Sequence, residues 1–314
     1  MVRVVFFGSS DSVFSNRHFE RLLESRCELA AVVDVPPARR ATTNASRPRG
    51  GSFVDAARAR GVPCLEPSRS SDPGFLAEIR RLEPDLFVAV GYMLLLGGTL
   101  LAVPRICAAN FHASLLPAYR GKHPVFWALR NGEPWCGLTV HQMSAGLDTG
   151  DIIFQVRVPV QPGDSVSALY DRIMAESEPL VSRLVDAAAV GSLPRRAQPA
   201  EGASYFGATT EADFHILPSF EPPVIARWVA ATPGQCFIVA AGRKFFLLDA
   251  APASPRPGSN PGTVLELGGG GCVIAAGGGA VRLCRVRGGD GMVVGGEDAF
   301  RGLGLVEGAS LGGT

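Results

Sequence analysis

Lysine is almost missing from this chain. Only Lys122 and Lys244 are lysine among 314 residues, and the rest of the 30 basic positions are arginine. With abundant Ala, Gly and Pro, that bias reads as the coding habit of a GC-rich bacterial genome. Charge of either sign is not in excess: 30 basic residues stand against 29 acidic ones, a formal net charge of +1, which offers nothing to draw a dominant polyanion. The seven cysteines include no C-x-x-C pair, and an odd number does not complete a disulfide framework. A reduced, cytoplasmic location is therefore expected. Runs of 18 apolar residues are absent, so no membrane partner is expected, and the apolar run at the N-terminus is too short for a signal peptide. The loop Gly8-Ser9-Ser10 lacks the G-x-G-x-x-G pattern, so a dinucleotide is not supported. Five scattered histidines suggest no metal-ligand cluster.

The apolar runs that are present are short. Residues 2–7 are β-branched and aromatic and stop at Gly8, which marks a buried strand. A helix through Phe19, Leu22 and Leu23 follows, then a strand at 29–33. The stretch 36–51 carries Arg39, Arg40, Arg47 and Arg49 among Pro, Thr, Asn and Gly, and reads as a mobile basic loop. Next come a helix from Ser52 stopped by Gly61, a strand at 62–65, a helix at 75–82 and a continuous apolar strand at 85–92. Further strands are expected at 107–111, 138–143 and 152–158, with a short helix at 124–130. One long amphipathic helix is expected from about Asp164, through Leu169, Ile173, Leu180, Leu184 and Val185. This alternation predicts an α/β fold with a doubly wound, mostly parallel sheet.

Beyond residue 192 the texture changes. Residues 192–208 are polar and broken by Pro194, Pro199 and Gly202, as in an interdomain linker. One helix near 224–230 then precedes short strands at 236–239, 244–248, 263–265, 272–274 and 280–284. These predict a smaller all-β domain of OB-like barrel type, with Gly268 to Gly271 as a hairpin turn. The expected boundaries are 1–191 for a catalytic domain, 192–208 for the linker and 209–314 for the β-domain.

Chemistry concentrates in Asn110-Phe111-His112-Ala113-Ser114-Leu115-Leu116-Pro117-Ala118-Tyr119-Arg120-Gly121. In an extended segment residues i and i+2 share a face, so Asn110 and His112 project together at the carboxyl end of a strand, where open α/β sheets bind ligands. A second unusual loop follows, Gly146-Leu147-Asp148-Thr149-Gly150-Asp151. An amide, an imidazole and a carboxylate converging on one cleft can carry out acyl transfer without a metal. Ser114 is expected to brace its loop through the backbone, Asp151 to form a turn, and His141 to be a satisfied core or edge histidine.

With its opening Val5-Phe6-Phe7-Gly8 strand, these two motifs and a trailing β-domain, the chain resembles the formyltransferase family over nearly its whole length. The resemblance implies a formyltransferase with 10-formyltetrahydrofolate as donor co-substrate and Asn110, His112 and Asp148 as the catalytic group. Asn110 and a protonated His112 would donate to the oxyanion, and Asp148 would orient His112 and relay a proton. Gly91, Tyr92, Met93, Leu94 and Leu95 resemble the family segment that holds the pteridine ring. Ser9 and Ser10 would border the acceptor pocket, and Lys122 and His123 would line it.

Members of the family differ in acceptor. Those acting on tRNA usually carry small residues where this chain has Lys122-His123, and tend to a basic β-domain. From Thr209 onward this chain has eight basic and nine acidic residues, a net of −1, a poor phosphate platform unless Arg282, Arg285 and Arg287 cluster. A small-molecule amine is therefore expected: an amino sugar, or a natural-product or siderophore precursor such as hydroxyornithine. Methionyl-tRNA is the alternative, which the basic loop from Arg39 to Arg49 favours by its position. A formyltetrahydrofolate hydrolase and an inert binding protein come after these. Oligomeric state is left open by the sequence.

Overall fold

A computed structural model describes residues 1–39 and 51–312. The chain divides into two compact units: one of Met1–Val125, Trp135–Pro159 and Tyr170–Gly207, the other of Phe126–Pro134, Val160–Leu169 and Ala208–Thr314. The expected basic loop lies outside the described residues beyond Arg39.

In chain order the elements up to the end of the first unit are β1 (Val2–Gly8), α1 (Val13–Leu23), β2 (Cys27–Asp34), α2 (Phe53–Arg58), β3 (Cys64–Leu65), α3 (Pro73–Arg81), β4 (Leu86–Val90), α4 (Gly98–Leu101), β5 (Cys107–His112), β6 (Arg120–Gly121), α5 (Pro124–Asn131), β7 (Trp135–Gln142), β8 (Ile152–Pro159), α6 (Val166–Ser177), α7 (Pro179–Ala189) and β9 (Tyr205–Phe206). The main sheet has the order β3-β2-β1-β4-β5-β7-β8. Its first five strands pair in parallel, and β7 and β8 close that side antiparallel. Sequence order reverses between β1 and β4, the kind of switch point at which such sheets open a crevice at the carboxyl ends of their strands.

Burial on both faces explains the continuous apolar runs. Successive residues of β1 point to opposite sides: Phe7 meets Phe87 at 4.9 Å between ring centroids, while Phe6 meets Phe19 at 5.1 Å and Phe53 at 5.2 Å. Helix ends follow local chemistry. The Ser12 hydroxyl caps α1, Ser52 and Asp55 form a capping box on α2, and Asp72 caps α3 with Pro73 at its first turn. The single long helix expected from Asp164 is instead two, α6 and α7. Pro179 has no N–H to continue the first helix and instead opens the second.

The second unit carries α8 (Pro222–Ala231) and an antiparallel sheet of β10 (Phe237–Ala240), β11 (Arg243–Ala253), β12 (Val264–Gly268), β13 (Gly271–Ala276), β14 (Gly279–Arg287) and β15 (Val293–Gly295), followed by α9 (Gly296–Arg301). The five expected strands are present, and β15 and α9 are additions that the glycine-rich sequence there does not signal. Gly269 and Gly270, at φ +58° and +79°, make the tight β12–β13 turn. Ile225 and Val229 of α8 and Phe300 of α9 share a core with Phe245, Leu247, Ile274 and Leu283 of the sheet. Among the described residues no helix is long and apolar enough to cross a membrane.

Phe6 is fully buried between two further aromatic rings. Phe6→Ala should lower stability by about 3–5 kcal/mol, measured by denaturant unfolding of the purified chain. A loss below about 1 kcal/mol would mean that this face collapses to fill the space.

Candidate active site

The site forms where β5 ends. Its neighbour β4 runs parallel and β7 antiparallel, and the β5–β7 register sets Asn110 opposite His141 and His112 opposite Thr139. Alternation along both strands therefore puts four polar side chains on one face. Thr139 Oγ1 donates to the Ser114 carbonyl at 2.7 Å and accepts from the Leu116 amide at 3.1 Å, which fastens the loop after β5 to β7. Ser114 Oγ donates to the Ala118 carbonyl at 2.8 Å within that loop. The Leu116–Pro117 peptide in the same loop is cis.

Asp148 reaches the same face from the loop between β7 and β8. Its carboxylate is 8% exposed. Oδ2 accepts the Gly121 amide at 2.9 Å and lies 3.7 Å from His112 Nδ1, and Oδ1 lies 3.4 Å from His141 Nε2. Burial pushes the Asp148 carboxyl up, but His141, His112 and the Gly121 N–H together outweigh it and hold the group below its ordinary value. Burial also lowers His112, against the opposing pull of Asp148 and the Tyr119 carbonyl.

Carbonyl partners assign the ring protons, because a carbonyl only accepts. His112 Nε2 donates to the Tyr119 carbonyl at 2.8 Å, so in the neutral ring Nδ1 carries the lone pair and faces Asp148. His141 Nδ1 donates to the Gln142 carbonyl at 2.9 Å, and its Nε2 accepts from Asn110 Nδ2 at 3.1 Å. The Asn110 amide is thereby oriented with its nitrogen toward His141, leaving its second N–H for another acceptor.

The backbone here is unusual as well. Tyr119, His123 and Asp148 adopt positive φ of 61°, 53° and 55°. Non-glycine residues held in that region cost energy and cluster at functional sites. Gly121 is required where it stands: at φ +98°, a Cβ would sit 2.2 Å from the Phe206 carbonyl oxygen.

The other expected residues are placed variously. Gly91 turns the chain after β4 at φ +63°. Tyr92 is half-buried against Phe7 at 5.3 Å, and burial raises its hydroxyl, which has no hydrogen-bond partner. Met93 and Leu95 are exposed, at 46% and 75%, and Leu94 is half-buried. Ser9 and Ser10 follow β1 but are buried; Ser9 Oγ donates to Asp11 at 2.5 Å, and the Ser10 amide to Asp34 at 2.9 Å. Lys122 and His123 are exposed directly after Gly121. Among the described residues no group of three or more His, Cys, Asp or Glu is placed to hold a metal.

Two residues outside the expected catalytic group belong to this arrangement. His141 is the satisfied core or edge histidine expected, and beyond the Gln142 carbonyl its neighbours are Asn110 and Asp148. The available signal was the two-residue period linking Thr139 and His141, which needs the β5–β7 register to be interpreted. Gln198, in the polar stretch after α7, donates to the carbonyls of Asp148 and Gly150 at 2.8 and 2.7 Å.

Comparison with known proteins identifies the family of the chain. Residues 2–185 match the formyl transferase family, and residues 222–304 match the formyl transferase C-terminal domain. A methionyl-tRNA formyltransferase of Acidothermus cellulolyticus is 35% identical over 260 residues, covering 81% of this chain and 78% of that protein. One from Geobacter metallireducens is 31% identical over 281 residues, 89% of each chain. In fold, the chain is similar to an N-formyltransferase from Helicobacter canadensis, solved with folinic acid and dTDP-3-aminofucose. The TM-score is 0.62 at 16% identity, covering 90% of this chain and 99% of that one. The chain is an enzyme that belongs to the formyl transferase family.

Proposed function

We propose that the chain moves the formyl group of 10-formyltetrahydrofolate to the amine of a small molecule, with Asn110, His112 and Asp148 carrying the chemistry. The observation that carries this reading is the buried Asp148 carboxylate beside the Nδ1 lone pair of His112, next to an amide whose nitrogen is oriented by His141. The amine nitrogen attacks the formyl carbon, a C–N bond forms, and the carbonyl electron pair moves onto oxygen. The free N–H of Asn110 donates to that oxyanion, a contact of a kind worth about 2.7–4 kcal/mol. His112 Nδ1 takes the proton released by the attacking nitrogen, and Asp148 stabilises the imidazolium. The proton then passes to the folate nitrogen as its bond to the formyl carbon breaks. Because Nε2 is committed to the Tyr119 carbonyl, this reading makes Nδ1 the proton-handling atom and gives the oxyanion to Asn110. Gly91 to Leu95 offer a turn with exposed apolar side chains for the pteridine ring, and Lys122 and His123 offer polar groups for the acceptor.

A small acceptor is supported by the cations of β14. Arg282 pairs with Glu266 at 3.0 Å, Arg285 pairs with Asp249 at 2.6 Å, and Arg287 donates to the Gly234 carbonyl at 2.9 Å. Each is already engaged within its own unit, where phosphate binding would require it to be released. The second reading, methionyl-tRNA as acceptor, is favoured by the names of relatives 31–35% identical over most of the chain.

Asp148→Asn should lower kcat by about 10²-fold or more with an unchanged circular dichroism spectrum; turnover near the wild-type rate would refute the catalytic group. The pH dependence has a definite sign. Burial lowers His112 from its ordinary 6.5, so the neutral form that accepts the proton persists below that pH. At saturating donor and acceptor, kcat should hold as pH falls through 6.5 and decline only at lower pH. A rate that instead declines as pH rises through neutrality would require the protonated ring and overturn the base assignment. A mass-spectrometric screen with 10-formyltetrahydrofolate against nucleotide-linked amino sugars, hydroxyornithine and charged initiator tRNA tests the acceptor. Efficient formylation of tRNA alone would reject the small-amine reading.

A further inference from the structure

We propose that Gln198 is the positioning residue for Asp148, on a strap formed by residues 196–206 that holds both loops of the site in register. The proposal rests on formyl transfer through Asn110, His112 and Asp148. Its support is a closed circuit of hydrogen bonds. Gln198 Nε2 donates to the Asp148 and Gly150 carbonyls at 2.8 and 2.7 Å, and Gln198 Oε1 accepts Nε and Nη2 of Arg120 at 3.1 and 2.8 Å. Guanidinium only donates and carbonyls only accept, so the amide can face just one way. Gly121, the residue after Arg120, donates to the Asp148 carboxylate. Asp148 is therefore gripped by its backbone through Arg120 and Gln198, and by its side chain through Gly121. A left-handed aspartate has little conformational preference of its own to keep it there.

The rest of the strap serves the same two loops. Arg196 and Ile152 exchange backbone hydrogen bonds at 3.0 and 2.8 Å, just beyond the Asp148 loop. The Ser204 carbonyl accepts the Arg120 amide and the Ser204 hydroxyl accepts the Tyr119 amide, both at 2.9 Å. Tyr205 and Phe206 pair with Arg120 and Gly121 as β9 against β6, and Phe206 stacks on Tyr119 at 5.1 Å with 13° between the rings. Tyr119 supplies the carbonyl that His112 Nε2 bonds, so the strap reaches both partners of that ring.

The test reads His112 directly and needs no known acceptor. The titratable groups acting on its ring are Asp148, which favours the protonated form, and His141, which opposes it. Imidazole titrations are followed by NMR in wild type, Asp148→Asn, Gln198→Met and Gln198→Ala, with thermal melting of each. Gln198→Met keeps the side-chain length, adds no charge and removes both donors to the Asp148 loop; Gln198→Ala carries the measurement if the first variant folds poorly. Melting points within a few degrees of wild type are expected, with the His112 midpoint displaced downward by up to about 1 unit, in the same direction as in Asp148→Asn. With an accepted amine, kcat should fall about tenfold to 10²-fold while the donor KM stays within about twofold. If Asp148→Asn moves His112 but both Gln198 variants titrate as wild type, the positioning role is refuted and the catalytic reading stands. If Asp148→Asn itself leaves His112 unmoved, the catalytic reading is what fails.

Discussion

A carboxylate withdrawn from water must be compensated by its neighbours, and that requirement shapes the surroundings of Asp148. Burial alone would favour its neutral acid. Two imidazoles in their protonated form and one backbone amide reverse that preference, and each arrives on a different piece of chain: His112 at the end of β5, His141 on β7 and Gly121 past the proline-containing loop. Those pieces have to meet at one point for the charge to be tolerated. The strained backbone at Tyr119, His123 and Asp148 is concentrated at the same point. Such strain persists only where the surroundings over-determine the conformation, and here the hydrogen-bond circuit around Asp148 does so.

The mixed sheet provides the meeting place. A wholly parallel sheet would have brought only carboxyl ends of strands to this edge. The antiparallel pairing of β7 with β5 instead lays a second row of side chains directly across from the first, so that a histidine orients the amide beside it. Parallel pairing on the other flank, with β4, keeps the end of β5 beside the turn at Gly91. The site thus draws on both kinds of strand pairing.

Much of this was legible in the sequence, for physical reasons. Strands buried on both faces leave unbroken apolar runs, so β1 and β4 stand out, and the spacing of Asn110 and His112 follows from the period of an extended chain. Other parts left no such trace. One proline decided the break between α6 and α7, because an absent N–H outweighs a continuous apolar stripe. The partnership of His141 depends on register, which a single strand does not encode. Gln198 acts through its side chain on carbonyl groups, and contacts of that kind impose no periodicity on the residues around them. The short β15 and the helix after it lie among glycines, where propensity is silent and packing against the core settles the structure.

The polar stretch after α7 bears on how this architecture can be divided. By composition it is a joint, the natural place to separate a catalytic module from its appendage. In the structure, its residues up to Gly207 belong to the first unit, with β9 paired to β6 in the segment that follows β5. A recombinant fragment ending at residue 191 would retain Asn110, His112 and Asp148 and discard the clasp around them, whereas one ending at 207 would retain both. A stretch that composition marks as a joint is thus, up to Gly207, a working part of the first unit, and a division made at its start cuts through that unit.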